Sequence, residues 1–298
     1  MEIQEDTSHP SAVAKIHDQF NAADSDVTFQ SSDGVLFLIH RKNLEAITGA
    51  FPGPEFSTGG EIVPLTEPAK VLEIMFQFIY PRRHPTLENL NFGLILAVAE
   101  AVEKYEIFSA MKTCEVQLSR YAIIQSERVF LHGIRHDCPS LMDKAARNLL
   151  SRKTAFKISK QLPSNFIVPW LEYQNAWRIA FESVVEEIND SHDSSDESCF
   201  EYYKDNETKD AYVLCRICRA YCLAWVSDLE SIDRLMELEN AAEEFKPHDE
   251  CEDASEPFLC EGCRRENYCQ ALPMFAEKLR DAFKLVPPFT QFLRKPET

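Results

Sequence analysis

The sequence predicts an α+β protein: an N-terminal domain with a small sheet covered by helical hairpins, followed by an all-α C-terminal region. Two patterns point there. Over residues 26–64, short apolar runs alternate with polar residues and are broken by Ser, Gly and Pro, the period of half-buried strands. From residue 66 onward, apolar residues recur every three or four positions, the period of helices that bury one face. With 298 residues, 45% of them hydrophobic, the chain is long enough for two packed domains.

In "SDVTFQSSDGVLFLIHRKNLEAI", Val27 and Phe29 alternate with Thr28 and Gln30, "SSDG" supplies a turn, and Val35, Phe37 and Ile39 resume the period of two. This is a hairpin covered on one side by helices. "RKNLEAITGAF" reads as a helix, "FPGPEFSTGG" as a Pro/Gly-rich loop, and "EIVPL" as a short strand. "TEPAKVLEIMFQFIY" places Val71, Leu72, Met75, Phe78 and Ile79 on one helical face, with Thr66 as candidate N-cap and Pro68 in the first turn. The next two helices align Leu90, Leu94, Ala97, Val98 and Ala101, then Ile107, Met111, Cys114 and Leu118.

Charge narrows the function classes. The net charge is −18, and it is concentrated in residues 182–210 (net −9) and 228–256 (net −10), which leaves the remainder near neutral. A nucleic-acid binder needs a basic face to displace counterions from phosphate, so the acidic half does not bind DNA or RNA directly. No apolar run of about 18 residues predicts a membrane span, and the acidic start "MEIQEDTSHPSAVAK" is unlike a targeting peptide. The expected location is cytoplasm or nucleus, where the ten cysteines are thiols, metal ligands or core residues and not a disulfide framework.

Several residues in the first 120 occur together in one order: Asp26 and Val27 opening a strand, His40 and Arg41 at a strand-to-helix junction, Phe78, Ile79 and Tyr80 ending a helix, and the pair Lys104 and Tyr105. Over residues 15–120 this order resembles the BTB/POZ domain, an interaction module and not a catalyst. The resemblance implies a homodimer formed through a leading helix, "SAVAKIHDQFN", with Asp26 and Arg41 as a charged pair in a pocket near the dimer interface. Such a pair is costly unless partnered. His40 is expected as a hydrogen-bonded residue at the core junction. The resemblance also allows a substrate adaptor for a cullin-type ubiquitin ligase. Such adaptors often carry a hydrophobic-x-Glu motif in the loop before the "EIVPL" strand; here Gly53 and Gly59 stand two residues before Glu55 and Glu61.

Residues 1–14 are expected as a disordered N-terminus, 121–188 as a helical extension like the one that follows many BTB domains, 189–210 as an acidic linker, 211–287 as a helical cysteine-rich region and 288–298 as a C-terminal tail. In the extension, residues 123–158 read as a helix pair broken at "DCPS", and Trp170, Tyr173, Trp177 and Phe181 form an aromatic stripe that reads as core. His132 and His136 are four apart, with Cys138 close by, and read as ordinary helix and turn residues. Serines within 189–209 sit among acids, a pattern compatible with acid-directed phosphorylation.

The cysteine pairs Cys215/Cys218 and Cys260/Cys263 each have the spacing of a zinc knuckle, and four thiolates suit a structural zinc. The 41 residues between the pairs exceed the roughly 15–20 of compact zinc folds, which leaves reduced thiols packed as small hydrophobes as the alternative. Cys222, Cys251 and Cys269 are alternative ligands or bystanders. The whole arrangement resembles, more loosely, fungal BTB proteins of about this length. His248, Glu250, Cys260 and Cys263 supply the letters of a zinc hydrolase, but Pro257 is not adjacent to Cys260 and only nine residues separate Glu250 from it. The sequence thus points to a non-enzymatic protein that binds itself and other proteins, with a cullin adaptor as the alternative and a zinc hydrolase as a remote one.

Overall fold

The computed structural model describes residues 15–51, 60–190, 192–193, 200–203, 211–214, 218–220, 222–224, 226 and 271–293. The chain divides into two compact units, Met1–Tyr121 and Ala122–Thr298, each with its own core. The protein is α+β.

The first unit holds a four-stranded sheet of order β1-β3-β2-β4, with β1 Ile16–Asn21, β2 Val27–Gln30, β3 Leu36–Ile39 and β4 Ile62–Pro64. Strands β2 and β3 form the expected antiparallel hairpin, Val27 opposite Ile39 and Phe29 opposite Phe37. Its turn closes where Gly34, at φ +84°, donates to Ser31, a backbone conformation that glycine adopts at little cost. β4 pairs parallel with β2, and β1 pairs parallel with β3.

That last pairing corrects the expected leading helix: the described part of "SAVAKIHDQFN" is strand. Along β3, Phe20 reaches a cluster with Phe37, Phe76 and Tyr80, with ring centroids 5.7–5.9 Å apart, and His17 stacks on Phe37 at 4.7 Å. This aromatic burial outweighs any local helical preference.

Helix α1 (Arg41–Ile47) follows the hairpin, and α2 (Ala69–Gln77), α3 (Phe92–Lys104) and α4 (Phe108–Ser119) form the helical layer. On α2, Val71, Leu72 and Met75 are buried, as are Phe78 and Ile79 just beyond it. Thr66 does not cap α2; the Asp33 carboxylate, from the β2–β3 turn, accepts the Ala69 N–H at 2.8 Å. On α3 the buried face is Ile95, Val98, Ala99, Ala101 and Val102, whereas Ala97 is exposed. On α4 the inward residue is Ala110 where the sequence pointed to Met111.

The second unit begins with α5 (Ser126–Arg135), α6 (Pro139–Ala146), α7 (Arg152–Ser159) and α8 (Ser164–Asn189). The expected pair over 123–158 is therefore three helices. The additional break falls at Ser151, whose side chain accepts the Thr154 N–H as an N-cap. The expected all-α C-terminal region and the 189–210 linker are corrected too: β5 (His192–Asp193), β6 (Phe200–Tyr203) and β7 (Ala211–Leu214) form a three-stranded sheet of order β5-β7-β6. Tyr202 and Tyr203 in β6, opposite Tyr212 and Ala211 in β7, supply the aromatic β formers that the acidic composition masked.

Helix α9 (Ala271–Leu285) packs along α8, with the Lys278–Glu187 ion pair between them. A short 3-10 helix, Phe289–Phe292, lies in what was expected to be a tail. Phe289 is fully buried against Phe130, Trp170 and Tyr173, with ring centroids 5.2–5.8 Å apart, so these residues belong to the core.

Candidate interaction surface

The sheet of the first unit sets where its backbone faces outward. Among the described residues β1 and β4 are its outer strands, and each carries an exposed isoleucine, Ile16 at 46% and Ile62 at 48%. An outer strand offers one row of N–H and C=O groups to whatever comes alongside, and an apolar side chain there adds area to bury. Helix α4 exposes Phe108 and Val116 in the same unit.

The junction residues cluster beside this sheet. Asp26, exposed at the start of β2, accepts the backbone N–H of Arg41 at 2.6 Å, so the bond between the two residues runs through the first amide of α1. A carboxylate at that position also meets the positive end of the helix. His40 is held on both ring nitrogens: Nδ1 lies 3.1 Å from Tyr80 Oη and Nε2 lies 3.2 Å from the Asp24 carboxylate. Tyr80 Oη also accepts the His40 backbone N–H at 3.3 Å. Burial raises the Tyr80 pKa, and the hydrogen bond to His40 lowers that of Asp24. The histidine is thus a fastener between the hairpin and the end of α2.

Sequence reasoning missed Glu67. Its carboxylate accepts from Lys104 Nζ at 2.8 Å and from Tyr105 Oη at 2.6 Å, and the same Lys104 donates to Thr66 Oγ1 at 2.7 Å. Burial works against the Glu67 anion, but the hydrogen bonds from Lys104, Tyr105 and Thr66 prevail and hold its pKa below the ordinary value. Burial and the bond to Glu67 raise the Tyr105 pKa. Lys104 and Tyr105 were legible as a pair; their acceptor, 37 residues earlier, was not.

The structure reaches the cysteines only in part. Cys215, Cys260, Cys263, Cys251, Cys269, His248 and Glu250 lie outside the described residues, as does Glu55. Cys218, Cys222 and Val226 are buried.

Elsewhere in the second unit a polar cleft of about 380 Å³ is lined by residues 124–128 together with Asn148, Leu149, Thr154 and Lys157. An ion pair of its own, Lys157 to Glu127 at 2.6 Å, supported by Gln161, spans two of its walls. On α5 the rings of His132 and His136 lie 4.6 Å apart. Among the described residues no helix is long and apolar enough to cross a membrane. No protein-family model, no curated protein and no solved structure matches this chain.

Proposed function

We propose that this protein is a non-enzymatic interaction module of the BTB/POZ type, which pairs with a second copy of itself through its first unit and presents its C-terminal half to other proteins. The observation that carries the reading is the sheet of order β1-β3-β2-β4 whose outer strands display Ile16 and Ile62. The Asp26–Arg41 junction, the His40–Tyr80 fastener and the burial of Phe78 and Ile79 support it, since they put the residues of the resemblance at the structural joints of one unit. Asp26 and Arg41 border the proposed interface.

Sedimentation equilibrium of the full chain tests this. The wild type is expected to be a dimer at micromolar concentration, and Ile16→Lys with Ile62→Lys to be monomeric, because a lysine on an outer strand opposes edge pairing. A wild type that stays monomeric, or a double variant that dimerises equally well, overturns the reading.

Within the same proposal, Cys215, Cys218, Cys260 and Cys263 hold one structural zinc that staples the C-terminal half. Burial of Cys218 suits a closed thiolate site, as it also suits a packed thiol. The zinc content of purified protein is expected to fall by one per chain in Cys215→Ser and in Cys260→Ser. Zinc-free wild type leaves the packed thiols.

A further inference from the structure

The geometry points to a second, sulfur-free metal site: His132 and His136 form a chelate for a divalent transition ion such as Zn²⁺, Co²⁺ or Ni²⁺. This inference is independent of the interaction reading.

The two histidines sit one turn apart at the C-terminal end of α5, where the His136 N–H donates to the His132 carbonyl at 3.1 Å. Side chains four apart on a helix share a face, and a His-x-x-x-His pair is a recurrent zinc-binding element for that reason. The rings are 4.6 Å apart at 50°, and one ring nitrogen from each lies within 4.8 Å of the other. Two imidazoles on one tetrahedral ion place their nitrogens roughly 3.3 Å apart, given metal–nitrogen distances of about 2.0–2.1 Å. A swing of the half-buried His136 ring closes that difference, while His132 stays packed at 3% exposure.

The backbone beneath the pair is held in place. Asp137 takes a left-handed φ of +49°, and the Cys138 N–H reaches back to the Gly133 carbonyl at 2.9 Å, which closes the helix end as a Schellman motif. His136 therefore projects from a locked cap and His132 from a regular turn. Ligands positioned in advance lose little entropy on binding. The helix end also contributes, because its carbonyls favour a cation there.

The residue between the ligands defines what the ion does. Zinc proteases place a general-base glutamate directly after the first histidine. Here that position is Gly133, where even a Cβ would lie 3.1 Å from the Met142 amide nitrogen and Cγ and 3.3 Å from the Cys138 carbonyl oxygen. A side chain there would require the start of α6 to give by a few tenths of an ångström. An ion held by this pair ties the last two turns of α5 together.

The test uses the full chain stripped of metal, with Zn²⁺ added in calorimetry and Co²⁺ in absorption spectroscopy. Thiolate ligands give cobalt intense sulfur-to-metal charge-transfer bands, and imidazole and water do not. One ion is expected to bind without those bands and to survive Cys215→Ser with Cys260→Ser. Because the two ligands act as one chelate, His136→Gln is expected to weaken it at least tenfold. With each protein compared in the presence and absence of metal, zinc should raise the melting temperature of the wild type and leave that of His136→Gln unchanged. Equal sulfur-free binding in His136→Gln, or none in the wild type at roughly 0.1 mM zinc, where even weak sites show, overturns the assignment. Absence of the thiolate bands in the wild type would count against the cysteine staple and leave this site standing.

Discussion

At the residue scale, the Glu67 carboxylate joins the loop before α2 to the end of α3 through Lys104 and Tyr105. Its pKa is depressed in the folded protein, so its contribution is present above the pKa of the unfolded chain and is lost as pH falls through the lower folded value. Glu67→Gln is expected to cost about 1–2 kcal/mol at neutral pH, the scale of hydrogen bonds to a charged group. The loss should shrink on acidification below the ordinary carboxylate range; urea unfolding across pH checks both. Tyr173 is the opposite case. Among the described residues its buried hydroxyl has no hydrogen-bond partner of good geometry, Trp177 being its one weak neighbour, and burial pushes its pKa up. An unmet buried hydroxyl carries a desolvation cost of about 1–3 kcal/mol, so Tyr173→Phe should leave stability unchanged or raise it. Calorimetry should show a melting temperature at or above that of the wild type.

At the scale of elements, the 3-10 helix at the end of the described chain closes the core of the second unit. Phe289 fills the space between Phe130, Trp170 and Tyr173, and Asp143 on α6 accepts both the N–H and the hydroxyl of Thr290 at 2.8 Å. Phe289→Ala removes a fully buried ring from a site whose neighbours are themselves large and held, and a cost of about 3–5 kcal/mol is expected. Thermal unfolding should show a transition at lower temperature than in the wild type. The periods that located α2 and α8 in the sequence rest on neighbours within one helix, which is why Val71, Met75, Trp170 and Tyr173 were legible as core. Phe289 was not: it sits in a Pro-rich stretch with no period, and its burial depends on residues more than a hundred positions away.

At the scale of the whole molecule, dimer formation and stability are linked. If Ile16 and Ile62 border a self-association surface, the midpoint of the first unit's unfolding should rise with protein concentration, because association draws on the folded state alone. The double lysine variant should lose that dependence. A midpoint constant over a hundredfold range of concentration would speak against association.

What the sequence determined by itself is the local part: the β2–β3 hairpin, the helices after residue 68 and the apolar face of most of them. Each follows from residues within a few positions of one another, through side-chain period, turn chemistry and helix geometry. His40 and the pair Lys104/Tyr105 stood out there as well, though without their partners. Only the tertiary structure decided that β1 is a strand, that an acidic stretch carries β6, that Glu67 holds Lys104 and Tyr105, and that Phe289 belongs to a core. Those outcomes depend on burial and hydrogen bonds between residues far apart in the chain, and local propensity gives way where such contacts are numerous enough.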